Sequence, residues 1–517
     1  LQLMHRRYAE ARHLLPALFL TLVLLTSGGL SRGRGTELPD PRQPLKRELR
    51  AAWLPTIYRS EYAQLSPYDA ADLLLQRVET LHQLGCNAIF FQVRAEGDAW
   101  YPSALEPWSK YLTGRQGQAP EEPWDPLELV LEACHERGME LHAWINPYRG
   151  ASNASAELAP THPARRYPEL FLRYGGQLLM NPGHPQSIPY ITSVVKDLVT
   201  RYDLDGLHFD DYFYPYPKAG EELQDEETFR AYGLGKGYAR GEKARWRRDK
   251  VNELIRATRE TLLELRPWMR FGVSPFGIYR NASTVPEGSQ TAGLQSYDDL
   301  SADVLYWAHE GWVDYVVPQV YWNRGHKVAD YDVLVPWWAE QLPRTTQLYI
   351  GQHVGRTMEG RQLGEKLQLS RHYAQGNVWW PADDLLRNVG GIGDSLATSY
   401  QRYPALLPVQ RGVLGKTKAP AAPSRIWLED DREGFSLCWE DSHQKDDPES
   451  PYLYVVYAFP RGTKASTKDP RYIRQISRSN RYRLTIDELL DGEHQFLVTA
   501  LNRFWQESKP HKLEIRP

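Results

Sequence analysis

The chain has 517 residues, with 62 Lys plus Arg against 65 Asp plus Glu, and three cysteines. This length exceeds what one ordinary hydrophobic core needs, so two or more domains are expected. The balanced charge supplies no general field for nucleic acid or an anionic membrane surface, and no nucleic-acid partner is predicted. Three cysteines exclude a dense disulfide framework. Because the sequence has neither a CxxC pair nor histidines at metal-ligand spacing, we predict no metal and no cofactor.

Aromatic residues are unusually frequent, with 17 Trp and 31 Tyr. Both side chains offer a flat apolar face with a polar edge, which suits contact with sugar rings. A polysaccharide or oligosaccharide is therefore a candidate partner. The alternative is that these rings pack an ordinary large core.

The N-terminus has the pattern of a secretion signal over residues 1–30, followed by a Pro- and Arg-rich spacer over 31–47. Arg6, Arg7 and Arg12 precede an apolar run at 14–25 and small residues at 26–29. The run is too short to span a bilayer comfortably, so no stable membrane span is expected after cleavage. An uncleaved anchor is the alternative. The predicted location is secreted, periplasmic or at the cell envelope.

Strand-like and helix-like segments alternate over residues 48–405, which predicts parallel strands with helical crossovers. The predicted strands are 51–55, 87–94, 140–146, 206–211, 270–275, 315–321, 347–353 and 377–380. The predicted helices are 69–84, 125–138, 186–201, 248–265 and 301–311. Eight strands favour an α/β fold of the (β/α)8 TIM-barrel type. A doubly wound open sheet competes with it, but the chain lacks a GxGxxG fingerprint.

A different pattern follows a predicted linker at 406–424. Short β-type runs separated by charged turns predict a small all-β sandwich over residues 425–517. This region resembles an immunoglobulin-like, fibronectin type III module. Trp439 stands at the early-strand Trp, and GEHQFLVTALNRFWQES matches the penultimate strand, whereas His494 replaces the usual corner Tyr.

Side-chain alternation sorts each barrel strand into helix-facing and axis-facing residues. In the fourth strand, Leu207 and Phe209 should face the helices, which turns His208 and Asp210 toward the axis. Asp211 should then point away, unless the chain has already entered its loop. The other axis-facing residues are predicted to be Gln92, Arg94, Glu96, His142, Trp144, Asn146, Tyr148, Tyr212, Ser274, Gln319, Tyr321 and His353. They gather at the carboxyl ends of the strands, where barrel enzymes work.

Each of these residues also has a structural interpretation. Buried Gln, Asn and His can simply satisfy one another by hydrogen bonding. An unpaired carboxylate near the axis is costly, so pairing of Arg94 with Glu96 or Asp210 is the alternative to catalysis.

Several phrases together resemble the glycosyl-hydrolase-like family 10 proteins, barrel enzymes of bacterial envelopes. They are FFQVRAEGDAWYPS, ELHAWINPYR, DGLHFDDYFYP, FGVSPFGIYRN, VVPQVYWN and the PWS element at 107–109. The resemblance covers about residues 48–405 and implies a glycoside hydrolase. It implies peptide-free peptidoglycan strands as substrate, or bacterial polysaccharide more generally. The segment GNVWWPADDLLRN departs from the family pattern.

The family's acidic positions fall on Glu96, Asp210 and Asp211. The resemblance implies polar contacts at Arg94, Asn146, Tyr148, Arg149, Ser274, Arg280, Gln319 and Tyr321. The predicted substrate-binding set also includes His142, His208, Tyr212, Trp322 and His353.

Glycoside hydrolysis usually uses two carboxyl groups, one protonated and one ionised. We assign Asp210 as nucleophile or electrostatic stabiliser and Glu96 as proton donor, with its pKa raised by Trp100 and Tyr101. These two roles can be exchanged. Asp211 is expected to support the site or contact substrate.

Three alternatives remain open. DGLHFDDY resembles the DGxDxDxE motif of family 18 chitinases, with His208 and Tyr212 at the middle Asp and the Glu positions. Substrate-assisted cleavage of an N-acetyl sugar would then need an acid from elsewhere. A catalytically silent barrel could bind glycan. A metal-dependent hydrolase or deacetylase could use His142, His208, Asp210 and His353.

Overall fold

A computed structural model of the protein describes residues 38–431, 434–444, 447–460, 462–486, Glu488 and 495–514. The predicted signal segment, residues 31–37 of the predicted spacer and His494 lie outside the described residues. Among the helices that are described, none combines the length and the apolar character needed to cross a membrane.

The barrel is built from a parallel sheet. Up to residue 400 the strands are β1 (Leu49–Leu54), β2 (Ala88–Arg94), β3 (Glu140–Ile145), β4 (Arg149–Ala151), β5 (Phe171–Tyr174), β6 (Gln177–Met180), β7 (Gly206–Phe209), β8 (Arg270–Val273), β9 (Tyr315–Val316), β10 (Gln347–Leu348), β11 (Ile350–His353) and β12 (Gly376–Trp380). The parallel sheet has the order β10-β9-β8-β7-β3-β2-β1-β12-β11. A bridge from Gln319 to Gly351 brings its two ends together. Since β10 and β11 are pieces of one strand interrupted at Tyr349, the predicted (β/α)8 barrel is confirmed.

Helices cover the outside of the sheet. They are α1 (Pro67–Gln83), α2 (Lys110–Thr113), α3 (Pro126–Glu136), α4 (Pro163–Arg166), α5 (Ser187–Arg201), α6 (Glu226–Tyr232), α7 (Lys243–Leu265), α8 (Ser296–Asp299), α9 (Val304–His309), α10 (Tyr331–Gln341), α11 (Val354–Glu359), α12 (Leu363–Tyr373), α13 (Ala382–Leu386) and α14 (Ile392–Ser395). Asp125 caps α3 as predicted, accepting hydrogen bonds from two backbone N–H groups. The helix predicted at 301–311 is shorter, because Asp303 caps its first turn and Ser301 has a positive φ of 56°.

Alternation within the strands is confirmed. Leu207 and Phe209 pack in the outer core beneath the helices, as do Ile89, Phe91 and Val93. The axis is filled by rings: the Phe90 and His208 centroids lie 4.6 Å apart, and His208 stacks on Tyr315 at 5.9 Å. The alternation predicted from the sequence therefore holds at these strand positions.

The C-terminal region forms two antiparallel sheets. Its strands are β13 (Ile426–Asp431), β14 (Gly434–Trp439), β15 (Leu453–Phe459), β16 (Ile473–Ser477), β17 (Arg481–Arg483), β18 (Gln495–Leu501) and β19 (His511–Glu514). The sheet orders are β13-β14-β17 and β16-β15-β18-β19. Leu437 and Trp439 of the first sheet share a core with Val456, Phe496 and Val498 of the second. The predicted all-β sandwich is confirmed.

The four-stranded sheet has a second buried face that packs against the barrel. Val455, Tyr457 and Trp505 belong to the same apolar cluster as barrel residues such as Phe90 and Tyr315. Leu406 and Leu407, at the start of the predicted linker, are fully buried in this cluster. The sandwich therefore covers the end of the barrel opposite the carboxyl ends of the strands.

Candidate active site

A cavity of about 410 Å³ opens at the carboxyl ends of the barrel strands. Aromatic rings form much of its wall: Trp53, Tyr58, Trp144, Tyr212, Tyr216, Tyr321 and Trp380. Its polar lining consists of Arg59, Gln92, Arg149, Gln177, Asp210, Asp211, Ser274 and Gln319. Apolar walls with a few convergent polar groups are typical of small-molecule sites.

A larger cleft of about 1410 Å³ lies between the barrel and the sandwich. Its described lining contains one carboxylate, Glu136, which pairs with Arg137 at 3.6 Å. Paired carboxylates meet in the smaller cavity, so the groups able to transfer protons are concentrated there.

Asp210 and Asp211 both line the cavity and both are buried. The exception stated for Asp211, that the chain has already entered its loop at this residue, applies here. β7 ends at Phe209, so both aspartates belong to the following loop, where the alternation of a strand no longer applies. The two adjacent carboxylates therefore face the same cavity.

The Asp210 carboxylate is held by three donors. Trp144 Nε1 donates to Oδ2 at 3.1 Å, Asn146 Nδ2 donates to the same oxygen, and the Tyr212 backbone N–H lies 3.3 Å from Oδ1. Burial raises the pKa of Asp210 to about 7; Arg149 opposes this shift and Asp211 adds to it. Because two fixed donors occupy Oδ2, the proton of the acid form belongs on Oδ1.

Asp211 accepts a hydrogen bond from the Tyr216 hydroxyl. Burial raises the pKa of Asp211, although hydrogen bonds from Tyr216 and Gln319 oppose the shift. Two buried carboxyl groups that repel each other do not readily ionise together. The pair therefore favours a state in which one carboxyl group is protonated and the other is ionised.

Two arginines line the cavity, of which Arg59 pairs with Asp383 at 2.8 Å and Arg149 does not form such a pair with any residue that the structure describes. The Arg149 guanidinium lies 4.1 Å from the centre of the Tyr212 ring, and no carboxylate in the described ranges lies within ion-pair distance of it. The charge lowers the pKa of both aspartates without forming a salt bridge. An arginine in this state is available to an incoming anion.

The structure brings part of the predicted set together. The predicted residues on the cavity lining are Gln92, Trp144, Arg149, Asp210, Asp211, Tyr212, Ser274, Gln319 and Tyr321. Asn146 and His208 lie just beneath, where they contact Asp210 and Ser274. His142 lies deeper in the barrel and is hydrogen-bonded to Glu140.

Arg94 and Glu96 lie behind the wall. Arg94 forms a buried bidentate pair with Glu106, at 2.7 Å for both bonds, so the predicted pairing with Glu96 or Asp210 is wrong. Glu96 accepts the Ser152 N–H at 2.5 Å and pairs with Lys110 at 3.2 Å. Burial favours a higher pKa for Glu96, but the Ser152 bond and the Lys110 charge outweigh it. The predicted rise in its pKa is therefore wrong.

Four further predicted residues are absent from the described cavity lining. Tyr148 is buried in the outer core, and Arg280 pairs with Asp298 at 2.8 Å. Trp322 packs edge-on against Phe276 at 5.5 Å. The His353 ring lies 5.8 Å from Tyr321, and its Nδ1 caps α11.

The histidines proposed as metal ligands are engaged elsewhere. His142 and His208 both hydrogen-bond to the Tyr315 hydroxyl, at 2.8 and 3.2 Å. Across the part of the chain that the structure describes, no three His, Cys, Asp or Glu side chains are grouped to hold a metal ion.

Sequence reasoning missed several residues of the wall. They are Trp53, Tyr58, Arg59, Gln177, Tyr216 and Trp380. Trp53 stands between Ala52 and Leu54 of the outer core, so alternation in β1 would have identified it. Gln177 comes from β6, in the small β4-β6-β5 sheet inserted after β3, where no barrel pattern applies.

Comparison with known proteins identifies the family of this chain. Residues 48–366 match the family model Glycosyl hydrolase-like 10. Glycosyl hydrolase YngK of Bacillus subtilis (strain 168) is 35% identical over 486 residues, covering 90% of this chain and 93% of that protein. Glycosyl hydrolase DigH of Escherichia coli (strain K12) is 38% identical over 338 residues, covering 61% of this chain and 75% of that protein.

Among solved structures, the PgaB (BpsB) glycoside hydrolase domain from Bordetella bronchiseptica is similar, with a TM-score of 0.44 and 14% identity. The similarity covers 69% of this chain and 99% of that one. The family match spans more than half of the chain, and the Bacillus relative spans nearly all of it. The chain therefore belongs to the glycosyl hydrolase-like 10 family.

Proposed function

We propose that this protein is an exported glycosidase that hydrolyses a bacterial glycan at the cavity containing Asp210 and Asp211. The observation that carries the proposal is the adjacent, buried aspartate pair among aromatic rings. Glycosidases need one carboxyl group protonated and one ionised at neutral pH, and mutual repulsion within a buried pair provides this.

The local contacts support different roles for the two aspartates. Asp210 is the proton donor, since its Oδ2 is occupied by Trp144 and Asn146 and its acid form persists near neutral pH. Asp211 is the ionised partner, stabilised by the Tyr216 hydroxyl and by Gln319. Glu96 is a structural residue, because Ser152 and Lys110 bind its carboxylate behind the wall.

Adjacent carboxylates suit substrate-assisted cleavage of an N-acetyl sugar. Neighbouring Cα atoms are only about 3.8 Å apart, which makes it difficult for the two groups to flank a glycosidic bond from opposite faces. Asp210 gives its proton to the glycosidic oxygen while the acetamido oxygen bonds to the anomeric carbon and the C–O bond breaks. Asp211 holds the acetamido N–H. Water then opens the cyclic intermediate and returns a proton to Asp210.

Arg149 supports a substrate that carries carboxylates. The guanidinium faces the cavity from the Tyr212 ring without an ion-pair partner among the described carboxylates. Muramic acid bears a lactyl carboxylate that is free in peptide-free glycan and amide-linked when a stem peptide is attached. Peptide-free peptidoglycan strands therefore fit this site better than peptide-substituted strands.

Export is supported by the Arg-rich start and the apolar run at 14–25. For the C-terminal region we propose a fibronectin type III-like module. Sheets of three and four strands in the orders β13-β14-β17 and β16-β15-β18-β19 support it, as does the buried Trp439 between them.

The test is digestion of purified glycans followed by mass analysis of the products. Peptide-free peptidoglycan strands, peptide-substituted strands and neutral α- and β-glucans are incubated with the wild-type protein and with Asp210→Asn. Arg280→Gln serves as a control, because Arg280 pairs with Asp298 away from the cavity. We expect cleavage of peptide-free strands by the wild type and the control, and a loss of at least about a hundredfold in Asp210→Asn. Equal turnover by Asp210→Asn would refute the assignment.

A further inference from the structure

A hydrogen-bonded column runs along the barrel axis from the sandwich to the cavity floor. Trp505 Nε1 of the sandwich donates to Glu140 Oε1. Glu140 Oε2 contacts His142 Nε2 at 2.9 Å, and His142 Nδ1 contacts the Tyr315 hydroxyl at 2.8 Å. That hydroxyl contacts His208 Nδ1 at 3.2 Å. All five side chains are buried.

The column ends at two residues of the cavity wall. Trp53 Nε1 donates to His208 Nε2 at 3.1 Å, and Ser274 Oγ lies 2.9 Å from the same nitrogen. Trp53 and Ser274 both line the cavity. The protonation of His208 Nε2 therefore decides whether Trp53 and Ser274 can donate hydrogen bonds to it.

The Trp53 indole at one end of the column and the Glu140 carboxylate at the other fix the direction of every hydrogen bond between them. An indole N–H can only donate, so His208 Nε2 is bare and its proton is on Nδ1, facing Tyr315. The Tyr315 hydroxyl accepts this hydrogen bond and donates its own proton to His142 Nδ1. The proton of His142 is therefore on Nε2. A carboxylate can only accept, and Glu140 accepts that proton. Burial and the neighbouring His142 hold the pKa of His208 well below its ordinary value, which keeps it neutral.

The sandwich holds Trp505 firmly at the lower end. Trp505 lies in the turn between β18 and β19 with a φ of 62°, a conformation that is costly for a bulky residue. Asn502 stabilises this turn: its carbonyl accepts the Trp505 N–H at 3.0 Å, and its side chain accepts the N–H groups of Phe504 and Gln506. The ring is 3% exposed and packs within the barrel cluster.

We propose that the C-terminal sandwich contributes to the active site: Glu140, which Trp505 of the sandwich holds in place, acts as a positioning residue that fixes the tautomer of His208 at the cavity floor. The consequence for catalysis rests on the proposed glycosidase function. The tautomer itself does not, and it can be measured without substrate.

Glu140→Gln tests the direction of the column. Trp505 Nε1 donates to Oε1, and Arg270 Nε lies 3.4 Å from the same oxygen. These donors keep the amide oxygen on their side, so the amide NH2 faces His142. His142 must then accept, the column reverses, and His208 carries its proton on Nε2 against the Trp53 N–H. Adding Trp505→Phe removes the main donor on that side, lets the amide oxygen turn to His142 and restores the original direction.

The readout is long-range ¹H–¹⁵N correlation of ¹⁵N-histidine-labelled full-length protein, with His208 assigned by His208→Asn. We expect the Nδ1–H form in the wild type and in Glu136→Gln, a control at an exposed glutamate of α3. We expect the Nε2–H form in Glu140→Gln and recovery of Nδ1–H in the double variant. His208 retaining Nδ1–H in Glu140→Gln would overturn the proposal, as would a double variant that stays reversed.

A second readout is kcat and KM on the glycan that the wild type cleaves. Because Trp53 loses its acceptor, we expect kcat/KM to fall roughly tenfold in Glu140→Gln and to recover at least in part in the double variant. An unchanged kcat/KM in a reversed Glu140→Gln would remove the catalytic consequence. If the wild type cleaves no glycan, the proposed function fails while the histidine spectra still decide the tautomer.

Discussion

Asn146 donates a hydrogen bond to Oδ2 of Asp210, and the direction of that bond is set by the backbone that follows β1. The N–H groups of Thr56 and Ile57 both donate to Gln92 Oε1 at 3.0 Å, which fixes the Gln92 amide. Gln92 Nε2 must then donate to Asn146 Oδ1, at 2.7 Å, and Asn146 is left to donate to Asp210. Two neutral amides thus stabilise the carboxylate form of a buried aspartate.

Gln92→Glu should reverse this relay. The new carboxylate accepts from both backbone N–H groups and from Asn146, which then turns its carbonyl oxygen toward Asp210. Losing one donor to a carboxylate is worth about 1.5–3 kcal/mol, so the pKa of Asp210 should rise by about one to two units. The alkaline limb of the pH–activity profile should move upward by the same amount. Gln186→Glu, at an exposed position, is the control. An unmoved alkaline limb in Gln92→Glu would contradict the relay.

Asp210→Asn should stabilise the fold, and more so at higher pH. Burial raises the pKa of Asp210 from its ordinary value of 3.8 to about 7. Between those values the folded state binds more protons than the unfolded state, so wild-type stability falls as pH rises. The variant does not lose stability in this way, because an asparagine at position 210 does not ionise. Its advantage should grow from pH 4 to pH 7, up to about 4 kcal/mol.

Thermal unfolding across this pH range measures that advantage. Asp72→Asn, at an exposed position of α1, should show no pH-dependent change. A difference in Tm between Asp210→Asn and the wild type that stays constant with pH would show that Asp210 is ionised throughout.

Glu96→Gln should lower stability and spare activity. The carboxylate accepts the Ser152 N–H and pairs with Lys110, and its pKa is lowered. The stability from this charge is present above the ordinary carboxyl pKa and is lost as pH falls through the lower folded value. We expect a destabilisation of about 1–2 kcal/mol at pH 7 that fades below about pH 4. Activity should stay within about threefold of the wild type.

Lys110→Gln is the matched partner variant and should show a similar loss of stability. A fall in activity for Glu96→Gln as large as that for Asp210→Asn would restore Glu96 as the proton donor. Chemical-denaturant unfolding and glycan cleavage, measured on the same preparations, separate the two outcomes.

The sequence was sufficient for the barrel and for the inside of its strands. Alternating side chains placed Leu207 outside and His208 inside, because a period of two is a local property of extended backbone. The same rule does not reach Asp211, the last residue of the predicted strand, because the observed strand ends two residues earlier, at Phe209. Strand ends depend on pairing with neighbouring strands, which a local pattern does not contain.

Partners distant in the chain were the other limit. The sequence motif contains Arg94 and Glu96 side by side, but Arg94 pairs with Glu106 and Glu96 with Ser152. Nothing in their spacing indicated that Trp505, some 365 residues beyond Glu140, would close the lower end of the barrel. Such contacts follow from how whole layers pack, so they emerge only with the three-dimensional structure.

Arg149→Gln should separate recognition of a substrate carboxylate from the rest of catalysis. The Arg149 charge lowers the pKa of both aspartates, so its loss should raise both values and move the alkaline limb of the activity profile upward. KM for peptide-free glycan should rise about ten- to a hundredfold, because a charge-assisted contact is lost. Lys at this position should give an intermediate KM, since it keeps the charge but not the planar stacking on Tyr212.

The decisive comparison uses the same glycan after its lactyl carboxylates have been converted to amides. Wild-type KM should rise on this substrate, whereas Arg149→Gln should bind both forms alike. Arg280→Gln, whose guanidinium is paired with Asp298, should behave as the wild type on both. An equal preference for the acid form in Arg149→Gln and in the wild type would show that another group recognises the carboxylate. The activity shift would then report only the electrostatic effect of Arg149 on the aspartate pair.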